Sequence, residues 1–312
     1  MKILVLGAGG IGGYFGGRLA EAGGDVTFLV RPKRREQIAR DGLVVKSPLG
    51  DFTVRPKTVL AEDARADYDL VLFTCKAYDL DSAMDAIAPA MQGGRAVVVP
   101  MLNGIAHFEK LDARFGAAKV MGGTCQINAT LKPDGTIVNG DTLQRLIFGE
   151  RDRSRSKRAE AFAAELAKTK IDAKLSDDIQ LELWEKIVFL SALAANTCLF
   201  RGNVREIMAA PGGRESMERT LAANIDLATR EGHAPRSAAV EAARKRLTDP
   251  EGLWSASMLR DMEAGGQVEA DHVIGWMLQG LRRHGLDDTV MSLAYTHLKT
   301  YEARRAAGRL AS

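Results

Sequence analysis

A glycine cluster near the amino terminus constrains the fold of this 312-residue chain more than any other feature. Nine of the 31 glycines lie within the first 24 residues, directly after the apolar run Lys2–Leu6. Residues 7–12 have the spacing G-x-G-x-x-G, which between a strand and a helix is typical of a βαβ unit that binds a dinucleotide. The residues expected at the pyrophosphate are Gly7, Gly9, Gly10, Ile11 and Gly12.

Each glycine of the motif answers a separate physical demand. The first makes the tight strand-to-helix turn, the second lets the backbone approach a pyrophosphate, and the third allows close helix–strand packing. The helix amino terminus then stabilises the phosphate charge. We expect Gly13, Gly16 and Gly17 to line the helix face that packs on the sheet. The alternative is a glycine-rich turn that binds nothing.

The end of the second predicted strand bears on the choice of dinucleotide. An NAD-binding unit usually carries Asp or Glu about 20 residues past the glycines, where it holds the ribose hydroxyls. Here the strand is followed by Arg31, with Arg34 one turn later. A guanidinium can bind a 2′-phosphate through charge-assisted hydrogen bonds of roughly 1.5–3 kcal/mol. The sequence therefore predicts NADP(H), with Arg31 as the first candidate and Arg34 as the second.

Strand and helix patterns divide the chain into two parts. Apolar runs at 2–6, 25–30, 69–75 and 95–100 alternate with helix-like segments, and strand pairs are expected around turns at 47–51 and 133–135. From residue 156 onward apolar residues recur at helical spacing and no strands are expected. We predict an α/β dinucleotide-binding domain over 1–175 and an all-helical domain over 176–312, with Ser176 capping the long helix.

Composition argues against several classes of protein. The 43 basic against 40 acidic residues leave a net charge of +3, too small to imply nucleic-acid binding. The longest uncharged stretch, 187–200, is shorter than the roughly 20 residues of a membrane span, so a buried helix is expected. Three scattered cysteines and no signal-peptide pattern predict a cytoplasmic protein with reduced thiols.

Four further segments stand out. They are TCKAY at 74–78, LNG at 102–104, LWEK at 183–186, and SMLRD at 257–261 followed by Glu269. Together with the glycine motif, these segments resemble the 2-dehydropantoate 2-reductase (ketopantoate reductase) family. The resemblance covers nearly the whole chain. It implies a Rossmann-type domain followed by a helical domain, with the active site in the cleft between them. The implied reaction is NADPH-dependent reduction of ketopantoate to pantoate, a step toward pantothenate.

The resemblance also implies roles for individual residues. Lys186 is the general acid that protonates the carbonyl oxygen as hydride arrives, and Glu269 orients that lysine or binds the substrate hydroxyl. Asn103 and Lys76 lie near the nicotinamide and the substrate. Ser257 holds the substrate carboxylate.

The residues themselves support this assignment in part. Hydride delivery to a ketone builds negative charge on oxygen, so a nearby proton donor lowers the barrier. Lys186 directly precedes the uncharged stretch, where partial desolvation would favour loss of its proton. The alternative for Lys186 is an ion pair with Glu182, one helical turn earlier. For Glu269 the alternative is a solvated helix carboxylate, and for Asn103 a plain turn.

Two positions depart from the family pattern. Family members carry asparagines one and two turns after the lysine, where this chain has Leu190 and Ala194. Asn196 lies close by but out of register. Loss of substrate hydrogen bonds relaxes or redirects specificity, so a reductase of a different 2-keto acid remains an alternative. A non-catalytic dinucleotide-binding regulator is a second alternative, against which Lys186 argues.

The expected partner is a small-molecule 2-keto acid, with no nucleic acid and no membrane. The five histidines show no paired ligand spacing, so no catalytic metal is expected. His107 lies just past Asn103 and could reach the cleft, although a packing or surface role is favoured. The sequence leaves open whether the chain forms a homodimer.

Overall fold

The computed structural model describes residues 1–310, whose contacts form two compact units. The first unit comprises Met1–Leu102 and His107–Ile179. The second comprises Asn103–Ala106 and the chain from Gln180 onward. The first unit is α/β and the second is helical, which confirms the predicted fold class.

The first unit contains the strands and five of the helices assigned within residues 1–310. The strands are β1 (Lys2–Leu6), β2 (Asp25–Leu29), β3 (Leu43–Lys46), β4 (Phe52–Val54), β5 (Lys57–Val59), β6 (Leu70–Phe73), β7 (Val97–Pro100), β8 (Gly122–Leu131), β9 (Ile137–Gly149) and β10 (Asp172–Leu175). The helices are α1 (Gly10–Glu21), α2 (Pro32–Asp41), α3 (Leu80–Met91), α4 (His107–Phe115) and α5 (Lys157–Leu166).

A parallel sheet in the order β5-β2-β1-β6-β7 carries the glycine motif. Leu6, the last residue of β1, lies beside Leu29 of β2 and Phe73 of β6, so the carboxyl ends of these strands meet at one edge. Every residue of β6 and of the edge strand β7 is buried, as expected for strands of a parallel sheet covered on both faces. In open α/β sheets this edge is where ligands bind.

A second sheet of the first unit has the order β10-β9-β3-β4, and β8 pairs with β9 in a long antiparallel hairpin. Both predicted hairpins are present, since β3 also pairs with β4 in antiparallel fashion. The expectation of no strands after residue 156 is wrong, because β10 pairs in parallel with β9. With only four residues, β10 is too short to produce a clear period.

Helix α1 lies between the two sheets, and its glycines make this possible. A Cβ at Gly16 would come within 2.8 Å of Phe28 and Val5 in the parallel sheet. A Cβ at Gly17 would lie 3.1 Å from Leu43 and Phe52 in the second sheet, and one at Gly13 would overlap a side chain of β9. The predicted packing on the parallel sheet is therefore right for Gly16 and wrong for the other two, which contact the second sheet.

The second unit is built from helices around one apolar core. They are α6 (Ile179–Phe200), α7 (Val204–Ala209), α8 (Gly213–Arg230), α9 (Ser237–Leu247), α10 (Ser257–Glu263), α11 (Trp276–Arg283) and α12 (Thr289–Ala306), with a π-helical turn at Asp271–Gly275. The predicted cap at Ser176 is wrong. Its Oγ accepts a hydrogen bond from Asp178 N at 3.2 Å, in a turn that precedes the helix.

Helix α6 is long and apolar enough to cross a membrane by length and composition alone. Within this structure 67% of its most apolar window is buried, and its side chains from Trp184 to Cys198 contribute to the core of the second unit. It is the buried helix that the sequence predicts.

Candidate functional site

The turn from β1 into α1 has the backbone that the glycine motif predicts. Gly7 has a φ of +86°, in the left-handed region that favours glycine, and its N–H donates to Leu29 O at 2.8 Å. Gly9 precedes the first residue of α1 and Gly13 N donates to its carbonyl at 2.8 Å. The chain thus reverses over a few residues, and the amino terminus of α1 faces the edge where β1 ends.

Gly12 is required by packing. A Cβ at this position would overlap both the Gly7 carbonyl oxygen and Thr74 Oγ1. Thr74 follows β6 and donates its hydroxyl hydrogen to Leu6 O at 2.6 Å. Close helix–strand packing at the third glycine is therefore present. Thr74, predicted only as a member of the 74–78 motif, takes part in this packing.

Gly9 is different, because neither strain nor packing requires a glycine there. Its φ of −81° suits any residue. Among residues 1–310 no atom, chain neighbours apart, lies within 4 Å of the position that a Cβ would occupy. A side chain at Gly9 would fill open space beside the helix amino terminus. This is the space that a pyrophosphate needs for close approach to the backbone, so the loop fits a dinucleotide.

Gly10 and Ile11 complete the motif in another way. A Cβ at Gly10 would lie 2.5 Å from Ala129 O of β8, so packing against the second sheet accounts for this glycine. Ile11 is partly buried against the core of the first unit. The assignment of both residues to the cofactor thus depends on their backbone groups alone.

Arg31 follows β2, as predicted, and its side chain is 82% exposed. Its Nη2 lies 3.4 Å from Asp79 Oδ2, in the segment between β6 and α3. Asp79 could not be predicted as a partner of Arg31, since nothing local marks a carboxylate 48 residues away. A 2′-phosphate at Arg31 would share the guanidinium with this carboxylate.

Arg34 joins the glycine loop to the hairpin of β8 and β9. Its Nε donates to Ala8 O at 3.2 Å and its Nη1 to Gly135 O at 2.9 Å and to Gln37 Oε1 at 2.6 Å. Partial burial lowers the pKa of Arg34 from its ordinary value. Its Nη2 is buried and has no hydrogen-bond partner among the described residues. Arg34 thus has a spare donor next to the loop.

Lys76 follows β6, one residue before a 3-10 turn at Ala77–Asp79, and its side chain is half-buried. It therefore lies at the carboxyl edge of the parallel sheet. Asn103 follows β7 but belongs with the second unit. Its neighbour Gly104 has a φ of +80°, and a Cβ there would come 3.3 Å from His272 in the π-helical turn. The Asn-Gly pair is thus a turn, and that turn contacts His272 near Glu269.

In the second unit Lys186 lies in the second turn of α6 and is half-buried. Arg236, just before α9, donates from Nη2 to Glu182 Oε1 at 3.0 Å and from Nε to Glu185 Oε1 at 2.7 Å. These are the two carboxylates next to Lys186 on its own helix. Arg236 therefore offsets their negative charge at this end of α6, and the hydrogen bonds to Glu185 raise its pKa.

Glu269 is buried, with 9% of its surface exposed, so the alternative of a solvated helix carboxylate is wrong. Its carbonyl accepts from Val273 N at 3.1 Å, at the start of the π-helical turn. π-helical turns are rare in proteins, and those that occur are often found at functional sites. The ring centroid of Trp276, just after the turn, lies 5.6 Å from that of Trp184, two residues before Lys186. The Glu269 segment and the Lys186 segment therefore pack together.

Ser257 is the first residue of α10 and is half-buried. The preceding residue, Ala256, donates its N–H to Thr197 Oγ1 at 3.4 Å. Thr197 lies in the carboxyl-terminal half of α6, whereas Lys186 lies near its start. Ser257 is therefore attached to a different part of α6 from the Lys186 and Glu269 segments.

The remaining polar residues of α6 are structural. Asn196 is fully buried, donates to Thr220 Oγ1 at 3.1 Å and accepts from Ser216 Oγ at 2.6 Å, both on α8. Ser191 accepts from Asn224 Nδ2 at 3.0 Å. Leu190 is half-buried, and Ala194 is buried in the core. This polar network between helices was not predicted, because sequence alone does not reveal which helix faces which.

Within residues 1–310 no group of three or more His, Cys, Asp or Glu side chains could hold a metal ion. His107 is fully buried, and its ring centroid lies 4.3 Å from that of Phe108. Its surroundings are those of a packing residue, which is the role that the sequence favours.

Both halves of the chain are similar in sequence to known proteins. The chain matches the family profile "Ketopantoate reductase PanE/ApbA" over residues 3–153 and "Ketopantoate reductase PanE/ApbA C terminal" over 178–302. It is 35% identical over 305 residues to the "Uncharacterized oxidoreductase YkpB" of Bacillus subtilis (strain 168), covering 98% of this chain and 100% of that protein.

Solved structures extend the comparison. A 2-dehydropantoate 2-reductase from Geobacter metallireducens GS-15 is 27% identical with a TM-score of 0.85, covering 96% of this chain and 99% of the other. D-mandelate dehydrogenase with NADH and anilino(oxo)acetate is 20% identical with a TM-score of 0.86, covering 98% and 100%, which shows a shared fold. On the matches over both halves, the chain belongs to the ketopantoate reductase family of oxidoreductases.

Proposed function

We propose that this protein reduces the 2-keto group of 2-dehydropantoate to the alcohol of pantoate with NADPH. The observation that carries the proposal is the open space at Gly9, beside a helix amino terminus at the carboxyl edge of a parallel sheet. Membership of the family and the 27% identical 2-dehydropantoate 2-reductase support the choice of substrate.

A reduced nicotinamide cofactor, when bound, supplies the hydride. The first N–H groups of α1 would hold its pyrophosphate, because they have no partner within the helix. Gly7, Gly10, Ile11 and Gly12 shape this turn, and Gly9 leaves the space. Arg31 would bind the 2′-phosphate, with Arg34 close to the loop through Ala8.

Lys186 is the proton donor of the proposed reaction. As the carbonyl carbon accepts hydride, negative charge builds on its oxygen, and the Lys186 ammonium donates a proton to that atom. The binding of Glu182 and Glu185 by Arg236 supports this role, since it offsets the carboxylate charge that would hold the proton on the lysine.

Substrate binding would involve Asn103, Lys76, Ser257 and Glu269. The burial of Glu269 favours a role in orienting Lys186 or the substrate hydroxyl, because a carboxylate shielded from water acts more strongly on the groups around it than an exposed one. Ser257 would donate its hydroxyl to the substrate carboxylate, and Asn103 with Lys76 would lie near the nicotinamide.

A specific observation favours a second candidate, a reductase of a more apolar 2-keto acid. Leu190 and Ala194 follow Lys186 by one and two turns and can make no side-chain hydrogen bonds. A site without such donors discriminates weakly in favour of a hydroxylated substrate. D-mandelate dehydrogenase, whose structure contains NADH, has the same fold and a name that denotes an aromatic 2-hydroxy acid.

The experiment is a set of NADPH oxidation assays at 340 nm with 2-dehydropantoate, pyruvate, 2-oxoisovalerate and benzoylformate. We expect the highest kcat/KM with 2-dehydropantoate. A preference for benzoylformate would establish the second candidate instead. No oxidation with any 2-keto acid, using NADPH or NADH, would refute a reductase.

A further inference from the structure

A cavity of about 300 Å³ opens in the second unit, apart from the predicted site residues. It is bounded by the end of α6, the end of α10 and the last turns of α12. Its α12 wall consists of His297, Thr300, Tyr301 and Arg304, whose spacing places them on one helix face. Arg201 and Glu263 contribute the charged groups of the other walls.

Arg201 has an unusual backbone for its residue type. It directly follows α6 with a φ of +56°, and the next residue, Gly202, donates its N–H to Thr197 O at 3.3 Å. This is the hydrogen bond of a helix-ending motif whose left-handed position is usually glycine. An arginine there is strained, and backbone strain of this kind clusters at active sites and ligand-binding sites.

The comparison with Arg153 shows what Arg201 lacks. Arg153 is the other non-glycine residue of positive φ in the described chain, and its Nη2 lies 2.9 Å from Asp178 Oδ2. No carboxylate in residues 1–310 lies within ion-pair distance of the Arg201 guanidinium. Arg201 therefore presents at the cavity a charge that no ion pair within residues 1–310 neutralises.

His297 supplies a second observation. Its Nε2 is buried and has no hydrogen-bond partner among the described residues. Burial, with a smaller contribution from the Arg201 charge, lowers the pKa of His297. Buried polar atoms without a partner are rare in folded proteins and call for an explanation such as a bound ion or ligand.

We propose that this cavity binds a small molecule through an oxyanion group, a carboxylate or a phosphate, held by Arg201, Arg304 and His297. Arg304 uses one N–H for Arg309 O at 3.1 Å and has others to offer. Two guanidiniums against the single carboxylate of Glu263 leave a net positive lining. The volume is at the lower limit of ligand sites, which range over roughly 300–1,000 Å³, and therefore indicates a compact ligand.

Titration calorimetry with inorganic phosphate and with malonate tests the proposal. The protein is saturated with NADPH so that the glycine loop is occupied, and ionic strength is held constant with chloride. We expect saturable binding of at least one probe, and the stronger probe identifies phosphate or carboxylate as the recognised group. Absence of saturable binding by either probe would overturn the proposal.

Arg201→Gly separates binding from folding. Glycine suits the left-handed backbone, so Tm should stay unchanged or rise, while the anion affinity falls at least tenfold. Arg153→Gly is the matched control, because it changes the same backbone type and should leave the anion affinity unchanged. Equal affinities for the wild type and Arg201→Gly would refute the site.

The titration of His297 gives a readout that does not depend on reductase activity. A bound anion accepts a hydrogen bond from Nε2 and offsets the Arg201 charge, so the pKa of His297 should rise. Two-dimensional NMR of the imidazole rings, with His297→Gln to assign the signal, measures this shift. An unchanged pKa at saturating anion would contradict the role of His297, whatever the substrate of the enzyme.

Discussion

Short sequence motifs predict a functional role both for the glycine loop of the first unit and for helix α6 of the second. The two regions differ in how much of that role the motif itself determines. In the loop, each glycine has a separate backbone reason: left-handed φ at Gly7, overlap at Gly12 and open space at Gly9. In α6, spacing does not separate the proposed proton donor from the polar residues that hydrogen-bond to α8. Asn196 bonds to α8, whereas Lys186 lies near the start of the helix.

Sequence motifs are thus more informative about backbone requirements than about the roles of side chains. Backbone requirements are local, so a few consecutive residues determine the turn and its uses. A side-chain role depends on which other element faces the residue, and that is a property of the tertiary structure. Substitutions in the loop should therefore act through backbone geometry alone. In α6, a substitution of Lys186 should change activity, whereas substitutions of the other polar residues should change stability.

The largest effect is expected for Lys186→Ala. Loss of the proposed proton donor should lower kcat by roughly 10²–10⁴-fold, while the affinity for NADPH, measured by fluorescence titration, stays nearly unchanged. Lys168→Ala removes an exposed lysine that pairs with Glu165 and serves as the control, with no change in kcat expected. An unchanged kcat in Lys186→Ala would show that Lys186 is not the proton donor.

Gly12→Ala and Gly9→Ala separate packing from binding within the loop. The overlap at Gly12 should lower the free energy of unfolding by about 1–3 kcal/mol, visible as a lower Tm of the unliganded protein. Gly9→Ala should leave that Tm unchanged or higher, since its φ suits alanine, and weaken NADPH at least tenfold, or about 1.4 kcal/mol. If both variants lost stability but kept the wild-type affinity for NADPH, the dinucleotide would not occupy the open space at Gly9.

The choice of cofactor should depend on Arg31. Arg31→Ala removes charge-assisted hydrogen bonds of roughly 1.5–3 kcal/mol and should weaken NADPH by about ten- to a hundredfold, with little effect on NADH. Asp79→Asn is the converse variant. It frees Arg31 from its carboxylate partner and should strengthen NADPH binding. Equal losses for both dinucleotides in Arg31→Ala would count against the phosphate contact.

The smallest effect on activity is expected for Asn196→Ala. Thr220 and Ser216 would lose a buried partner, so the free energy of unfolding should fall by about 1–3 kcal/mol. At a temperature where the variant is folded, kcat and KM should match the wild type. A changed KM for the keto acid would instead place Asn196 in the site.

The sequence predicted the α/β-then-helical order, both hairpins and the buried helix, because each depends on strong local patterns. It did not predict β5 or β10, whose three and four residues are too short for a period. Asp79, Thr74 and Arg236 were missed as partners, because their contacts join residues far apart in the chain. The burial of Glu269 likewise depends on the packing of the second unit, which the local sequence does not reveal.

Helix α1 is held on two faces, by the parallel sheet at Gly16 and by the second sheet at Gly13 and Gly17. A helix held in this way cannot tilt without losing its packing on one of the two sheets. The amides at its amino terminus therefore keep their direction in the unliganded protein, and binding of a dinucleotide costs little ordering entropy at this end. Hydrogen exchange should show it: the central amides of α1 should open only with global unfolding of the first unit, before and after cofactor is added.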